Sequence, residues 1–328
     1  MLLQSVLFIV GISGVYFGAE WLVKGSSKLS RDLGIKPIVI GLTVVAFGTS
    51  SPELAVSLTA SIKGSNDIAI GNIIGSNIAN IGLILGVAAI VLPLKVEKIL
   101  LKRELPLMIG ISAGLYFMAI DRKIGFIDGL LLFTGIIFFI GYQVYCTFNH
   151  KKESRNSMAG NPGSKTGMSE STKEESQTGR NLLSNIIYIV IGLACLLAGS
   201  HVLVKSAIFI AGSFGISEMV IGMTVVAFGT SVPEMATSVV SVLKKESDIC
   251  VGNVIGSNIF NILLVLGSVA LVRPLNVERG TLFFEFPIML LFSLALIPMI
   301  RGGLTVNRLA GIVLVSGYLA FIFLLFYR

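Results

Sequence analysis

Long apolar runs, each closed off by charges, Gly or Pro, recur along this chain from its first residues to its last. A run of roughly 20 apolar residues is enough to cross a ~30 Å hydrocarbon core as helix. The runs predict ten helices, at about residues 2–23, 37–62, 68–92, 104–120, 124–146, 182–204, 217–243, 248–272, 280–300 and 304–327. The first run lacks a basic region ahead of it and continues through Trp21, which predicts a membrane helix rather than a cleaved leader. Five helices fall on each side of the polar segment 147–181, rich in Ser, Gly, Lys and Glu. With almost no large apolar side chain, that segment cannot build a core and is expected to be a mobile linker. The fold class predicted is an all-α polytopic membrane protein.

The two flanking regions, 1–146 and 182–328, are copies of each other. At a constant shift of 181 residues and without a gap, 30 of the 48 positions from Val39 to Gly86 are identical to those from Val220 to Gly267. The text GLTVVAFGTSSPELAVS is matched by GMTVVAFGTSVPEMATS, and GNIIGSNIANIGLILG by GNVIGSNIFNILLVLG. Five helices per copy is an odd number, so the second copy sits upside down relative to the first. Charge supports the inversion independently: Lys28, Arg31 and Lys36 precede the first motif, whereas their counterparts are Phe209, Gly212 and Ser217. Two inverted five-helix repeats of this kind can exchange conformations and open one site to either face of a membrane.

Composition agrees with the pattern. Of 328 residues, 54% are hydrophobic and 13% charged, and the mean hydropathy is +0.89, which suits the bilayer as solvent. The net charge of +7 need not mean nucleic acid. Distributed over alternate loops, about 18 Lys and Arg fall on the side holding the linker and about 7 on the side holding both termini, and about 12 against 7 remain without the linker. The linker is therefore expected in the cytoplasm and both termini outside. Cys146, Cys195 and Cys250 form no CxxC pair, and His150 and His201 are the two histidines, so neither a soft-metal site nor a disulfide framework is expected.

The candidate chemistry sits at equivalent places in the two repeats. Glu53 and Glu234 each lie within a long apolar segment, where a charge costs at least about 2.5–3.5 kcal/mol. No Lys or Arg lies near mid-helix to neutralise them, leaving a bound cation or protonation. Around them Gly48, Thr49, Ser50, Ser51 and Pro52, and Gly229, Thr230, Ser231 and Pro233, should interrupt the helix and free backbone carbonyls as ligands. The second motif adds Asn72, Ser76, Asn77 and Asn80, mirrored by Asn253, Ser257, Asn258 and Asn261. Ser76 and Asn80 share a helix face, as do Ser257 and Asn261. Glycines 71, 75, 82 and 86, with 252, 256 and 267, suit close helix packing. Carboxylates, hydroxyls, amides and carbonyls without sulfur or imidazole make an all-oxygen site for hard cations: calcium, sodium or magnesium. Two negative charges balance one Ca²⁺ or two Na⁺, and a larger sodium complement would make an exchange electrogenic.

At these residues the chain resembles the calcium/cation antiporter superfamily, whose two repeats carry GTSxPE and GSNxxN patterns, and within it the prokaryotic sodium/calcium exchangers. The GNxxE pattern of the proton-coupled branch is missing. The resemblance covers essentially everything but the linker and implies a Ca²⁺/Na⁺ antiporter rather than an enzyme. It implies a central ion cluster formed by Ala46 through its carbonyl, Thr49, Ser50, Glu53, Ser76 and Asn80, with Ala227 through its carbonyl, Thr230, Ser231, Glu234, Ser257 and Asn261. It also implies that the first and sixth helices slide across a fixed core. Relatives of the potassium-dependent branch typically carry Asp where Asn261 stands here. No cofactor, nucleic acid or obligate protein partner is expected; the partners are the two ions and the lipid bilayer of the cell membrane.

Proton or potassium coupling and a passive cation channel are the alternatives within transport. An intramembrane enzyme has neither a nucleophile–base pair nor a metalloprotease motif to support it. Glu104 and Glu285, followed by Pro106 and Pro287, are expected to start helices. Glu20 and its counterpart His201, near the ends of the first and sixth helices, are expected to be interfacial or structural, with gating or proton sensing as the alternative, and Lys63, Asp67, Lys244 and Asp248 are expected to be loop charges.

Overall fold

The computed structural model describes residues 2–159, 171–214 and 229–327. Its helices are α1 (Leu2–Leu33), α2 (Pro37–Thr49), α3 (Ser51–Ile62), α4 (Asn66–Val91), α5 (Leu100–Asp121), α6 (Phe126–Ala159), α7 (Ser171–Ser213), α8 (Val232–Leu243), α9 (Ser247–Val272), α10 (Arg279–Arg301) and α11 (Arg308–Phe326). Among the described residues eight helices are long and apolar enough to cross a membrane, or nine if α2 and α3, bent by 41° at their junction, count as one span. The expected span 217–243 is described only from Gly229 onward, where α8 forms its last part.

Hydropathy located the apolar runs but not the helix ends. The first helix was expected to stop near residue 23 but continues to Leu33, because Lys24, Ser26, Ser27 and Lys28 lower hydropathy without opposing helix. It ends where Gly34 takes φ +61° and the Gly34 and Ile35 amides donate to Arg31 and Ser30, a Schellman closure. Helices α6 and α7 likewise run into the polar segment, to Ala159 and from Ser171, since Lys, Glu, Gln and Ser propagate a helix that a membrane span has nucleated.

α4 and α9 form the centre: 78% and 83% of their apolar stretches are buried, against 17–33% for the other long spans. Around them pack α2 and α3, α6, α10 and α11. α1 and α7 pack chiefly on each other. A Cβ at Gly18 would lie 2.4 Å from the Leu196 nitrogen, and one at Gly192 would lie 2.5 Å from that of Leu22. Lipid tails are as apolar as Leu, so such close backbone approach, rather than burial from water, holds membrane helices together.

Two short ribbons bind the repeats. β1 (Leu94–Lys95) pairs antiparallel with β4 (Thr305–Val306), and β2 (Lys123–Ile124) with β3 (Leu275–Asn276). Adding 181 to β1 gives β3, and β2 falls one residue short of β4, so each repeat lends a strand to each ribbon. Glu104 differs from expectation. It lies one turn inside α5, buried and paired with Arg103, and both its oxygens are engaged because Gln143 also donates to it at 3.0 Å. Glu285 does open a helical stretch, after the break at Phe284.

Candidate cation site between the two helix breaks

Pro52 and Pro233 supply no amide to the preceding turn, so each helix breaks just before its proline. In the first repeat the break is a single residue, Ser50, with φ −80° and ψ 3°. Ser231 takes nearly the same geometry in the second, φ −89° and ψ 4°. The unwinding is shorter than expected. The Ala46 carbonyl still accepts the Ser50 amide at 3.0 Å and lies 3.5 Å from the Thr49 hydroxyl. The Gly229 carbonyl, denied a donor by Pro233, accepts from the Ser200 hydroxyl at 3.4 Å. Ala227 lies outside the described residues.

Each break puts a glutamate in the first turn of the helix that follows, where backbone amides and the positive end of the helix favour an anion. Glu53 is 0% and Glu234 1% exposed. Their contacts cross between repeats. Ser50 donates to Glu234 Oε1 and Ser231 donates to Glu53 Oε1, both at 3.4 Å. The second oxygen of each carboxylate, Oε2, is buried without a hydrogen-bond partner. Leaving such an acceptor unpaired is costly, and the pair of them points to a ligand.

The Asn residues of the second motif complete the arrangement. Thr49 donates to Asn253 Oδ1 and Thr230 to Asn72 Oδ1, each at 3.2 Å. The amide of Asn72 is tied to Ser57 at 2.9 Å, and that of Asn253 to Ser238 at 3.3 Å. These four bonds are two symmetry-related pairs. Ser76 lies 3.4 Å from the Ser231 hydroxyl, and Ser257 lies 3.5 Å from that of Thr49. Asn80 and Asn261 each open a π-helical stretch, Asn80–Leu85 and Asn261–Leu266, the kind of local widening that re-aims side chains at functional sites. The Oδ1 atoms of both are buried and unpartnered, and Asn261 is oriented by its bond to Asn77 at 3.2 Å.

Side-chain contacts thus link Thr49, Ser50, Glu53, Ser76, Thr230, Ser231, Glu234 and Ser257 around the two breaks, with the Ala46 carbonyl beside Thr49 and Asn80 and Asn261 about one turn beyond Ser76 and Ser257. Four acceptors, one on each Glu and one on each of Asn80 and Asn261, are left without partners. Among the described residues no three His, Cys, Asp or Glu side chains converge, so a cation here would meet two carboxylates and otherwise neutral oxygen, a donor set for a hard ion. Sequence reasoning passed over Ser57 and Ser238. Their identity at the 181-residue shift was the available signal, but only the fold shows that they anchor the Asn72 and Asn253 amides.

Comparison with known proteins identifies the family. The family described as "Sodium/calcium exchanger protein" matches residues 3–150 and 184–327. The sodium/calcium exchanger MaX1 of Methanosarcina acetivorans is 38% identical over 98% of this chain and 99% of its own. The putative antiporter CaxA of Alkalimonas amylolytica is 36% identical over 99% of each. A solved structure of the sodium-calcium exchanger NCX_Mj superposes with a TM-score of 0.81, at 31% identity and covering 97% of both chains.

Proposed function

This chain belongs to the sodium/calcium exchanger family, and from that premise we propose that it exchanges Ca²⁺ for Na⁺ across the cell membrane by alternating access. The observation that carries the proposal is the reciprocal pair of buried glutamates, each held through one oxygen by the opposite repeat while the other oxygen awaits a partner. Two carboxylates neutralise one Ca²⁺ or two Na⁺, so the ions compete for overlapping positions. Coupling follows from that competition, and more than two Na⁺ per Ca²⁺ makes the cycle electrogenic. The ligands are Thr49, Ser50, Glu53, Ser76 and Asn80, with Thr230, Ser231, Glu234, Ser257 and Asn261; the carbonyls of Ala46 and Ala227 add backbone oxygen.

The site is served by ten spans in two inverted repeats, and three contacts support that count. Between β1 and β4 such a chain crosses the membrane six times, and between β2 and β3 four times. Both numbers are even, as pairing at one face requires; without a crossing between 214 and 247 both would be odd. The Lys36–Glu97 ion pair at 2.5 Å makes the same demand of the bent α2–α3 pair. Lys and Arg bias puts the Lys36 end in the cytoplasm and the termini outside.

The test is ⁴⁵Ca²⁺ uptake into Na⁺-loaded proteoliposomes, with K⁺-loaded and pH-gradient controls. Uptake that requires the outward Na⁺ gradient is the expected result. Uptake driven only by the pH gradient would replace sodium with protons as the coupling ion, and uptake needing no gradient would make the protein a channel.

A further inference from the structure

The two repeats are related closely enough for departures to be read. Gly11 packs on Leu203 and its counterpart Gly192 on Leu22; Gly18 packs on Leu196 and Gly199 on Val15. Adding 181 converts each contact into the other. The relation fails where α1 and α7 meet the rest of the protein. α1 lies along α8, and Ser26, Ser27, Leu29, Ser30 and Val240 are buried. The counterparts Ala207, Ile208, Ile210 and Ala211 are only half-buried and Thr59 is exposed, and α7 makes no comparable contact with α3. The molecule is closed at the corner after α8 and open at the equivalent corner after α3.

Charged groups are concentrated at the closed corner. Lys244 pairs with Glu20 of α1 at 2.5 Å, and Glu20 raises the pKa of the Lys244 ammonium, keeping it charged. Glu246 pairs with Arg31 at 3.1 Å and accepts the Ser27 hydroxyl. The corner itself is held rigid by a Schellman closure around Lys245, whose φ is +62°. At the open corner the counterparts of Glu20 and Lys244 are His201 and Lys63, and those of Ser27, Arg31 and Glu246 are Ile208, Gly212 and Ser65. Exchange of conformations between the repeats would bring these together, and no ion pair can form among them.

We propose that Glu20, Arg31, Lys244 and Glu246 form a one-sided latch that biases the access equilibrium toward the conformation closed at the 244–246 corner. The inference rests on the inverted-repeat reading above. Opening the closed end breaks two ion pairs, and closing the other end makes none, so the inherited symmetry of the repeats does not give equal populations. Half-exposed pairs of this kind shift such an equilibrium about 1.5- to 5-fold each.

The test uses paired reporters, Ser26→Cys and Ala207→Cys, labelled at low ionic strength by an impermeant thiol reagent from either side of proteoliposomes. Labelling is read peptide by peptide, so Cys146, Cys195 and Cys250 stay in place. Glu20→Gln or Glu246→Gln is expected to speed labelling at 26 by about 1.5- to 5-fold and slow it at 207. Exchanging the charges, Glu20→Lys with Lys244→Glu, restores the original ratio. His201→Glu, which places a carboxylate opposite Lys63 in the exchanged conformation, shifts both reporters in the same direction as Glu20→Gln. Unchanged ratios in Glu20→Gln and Glu246→Gln, or an opposite shift in His201→Glu, overturn the latch. Reporters that label from the same side of the membrane overturn the inverted-repeat reading instead.

Discussion

Replacing Glu53 or Glu234 by Gln removes one negative charge while keeping the side-chain shape and an oxygen for Ser231 or Ser50. A Ca²⁺ between two carboxylates is neutralised; facing one, it leaves an uncompensated charge deep in a span. That costs at least about 2.5–3.5 kcal/mol, a loss of roughly 60- to 300-fold in Ca²⁺ affinity. At a Ca²⁺ concentration about 100 times the wild-type Kd, binding stabilises the native protein by about 2.7 kcal/mol. The same concentration should give the Gln variants only about 0.2–0.6 kcal/mol. Thermal unfolding in detergent, with and without Ca²⁺, measures the difference directly. The ion-free protein should hold or gain stability, because a neutral amide is less costly to bury than a carboxylate with an orphan oxygen. Full Ca²⁺ stabilisation in either variant would refute the ligand assignment. A fall of several degrees in the ion-free midpoint would make that glutamate a structural residue instead.

Thr49→Val and Thr230→Val each remove a cross-repeat bond to an Asn carbonyl, and each should weaken Ca²⁺ binding about 5- to 10-fold, read as apparent affinity in the uptake assay. Glu104→Ala leaves Arg103 and Gln143 without their shared acceptor and should destabilise by about 1–3 kcal/mol while exchange per folded molecule stays near wild type. Gly18→Leu forces a side chain into the Leu196 backbone, so it should abolish exchange by splaying α1 from α7, detected as slower migration in native gels or loss of a cross-link between the two helices. Lys245→Gly removes a left-handed non-glycine residue and should raise stability by up to about 1 kcal/mol, measured as a higher unfolding midpoint.

Much of the site could be read from residue type and repetition alone. Two carboxylates in apolar segments, the hydroxyl and proline run before each, and an Asn one turn after a Ser pointed to Thr49, Ser50, Glu53, Ser76, Asn80, Thr230, Ser231, Glu234, Ser257 and Asn261, while Ala46 entered only through the family resemblance. The pairing could not be read that way. Within one repeat Ser50 is the natural neighbour of Glu53, three residues on, yet its hydroxyl donates to Glu234. That choice is made by how the two breaks meet in the fold, each serine reaching the glutamate of the other repeat, which no local pattern encodes. The π-helical widening at Asn80 and Asn261 was hidden for a related reason: it changes hydrogen-bond register without requiring any residue with a distinctive propensity.

The alignment that revealed the repeats also reveals where they have been allowed to differ. Identity is dense through the candidate ligands, as expected if one site is shared by two conformations. It is lost at Glu20 against His201 and at Glu246 against Ser65, which lie where α1, but not α7, closes on the core. A symmetric site with asymmetric corners is what an exchanger needs if it binds the same ions from both faces but rests in one conformation. On this reasoning the ligands set which ions compete, while residues more than a helical turn away from them set which face they compete on.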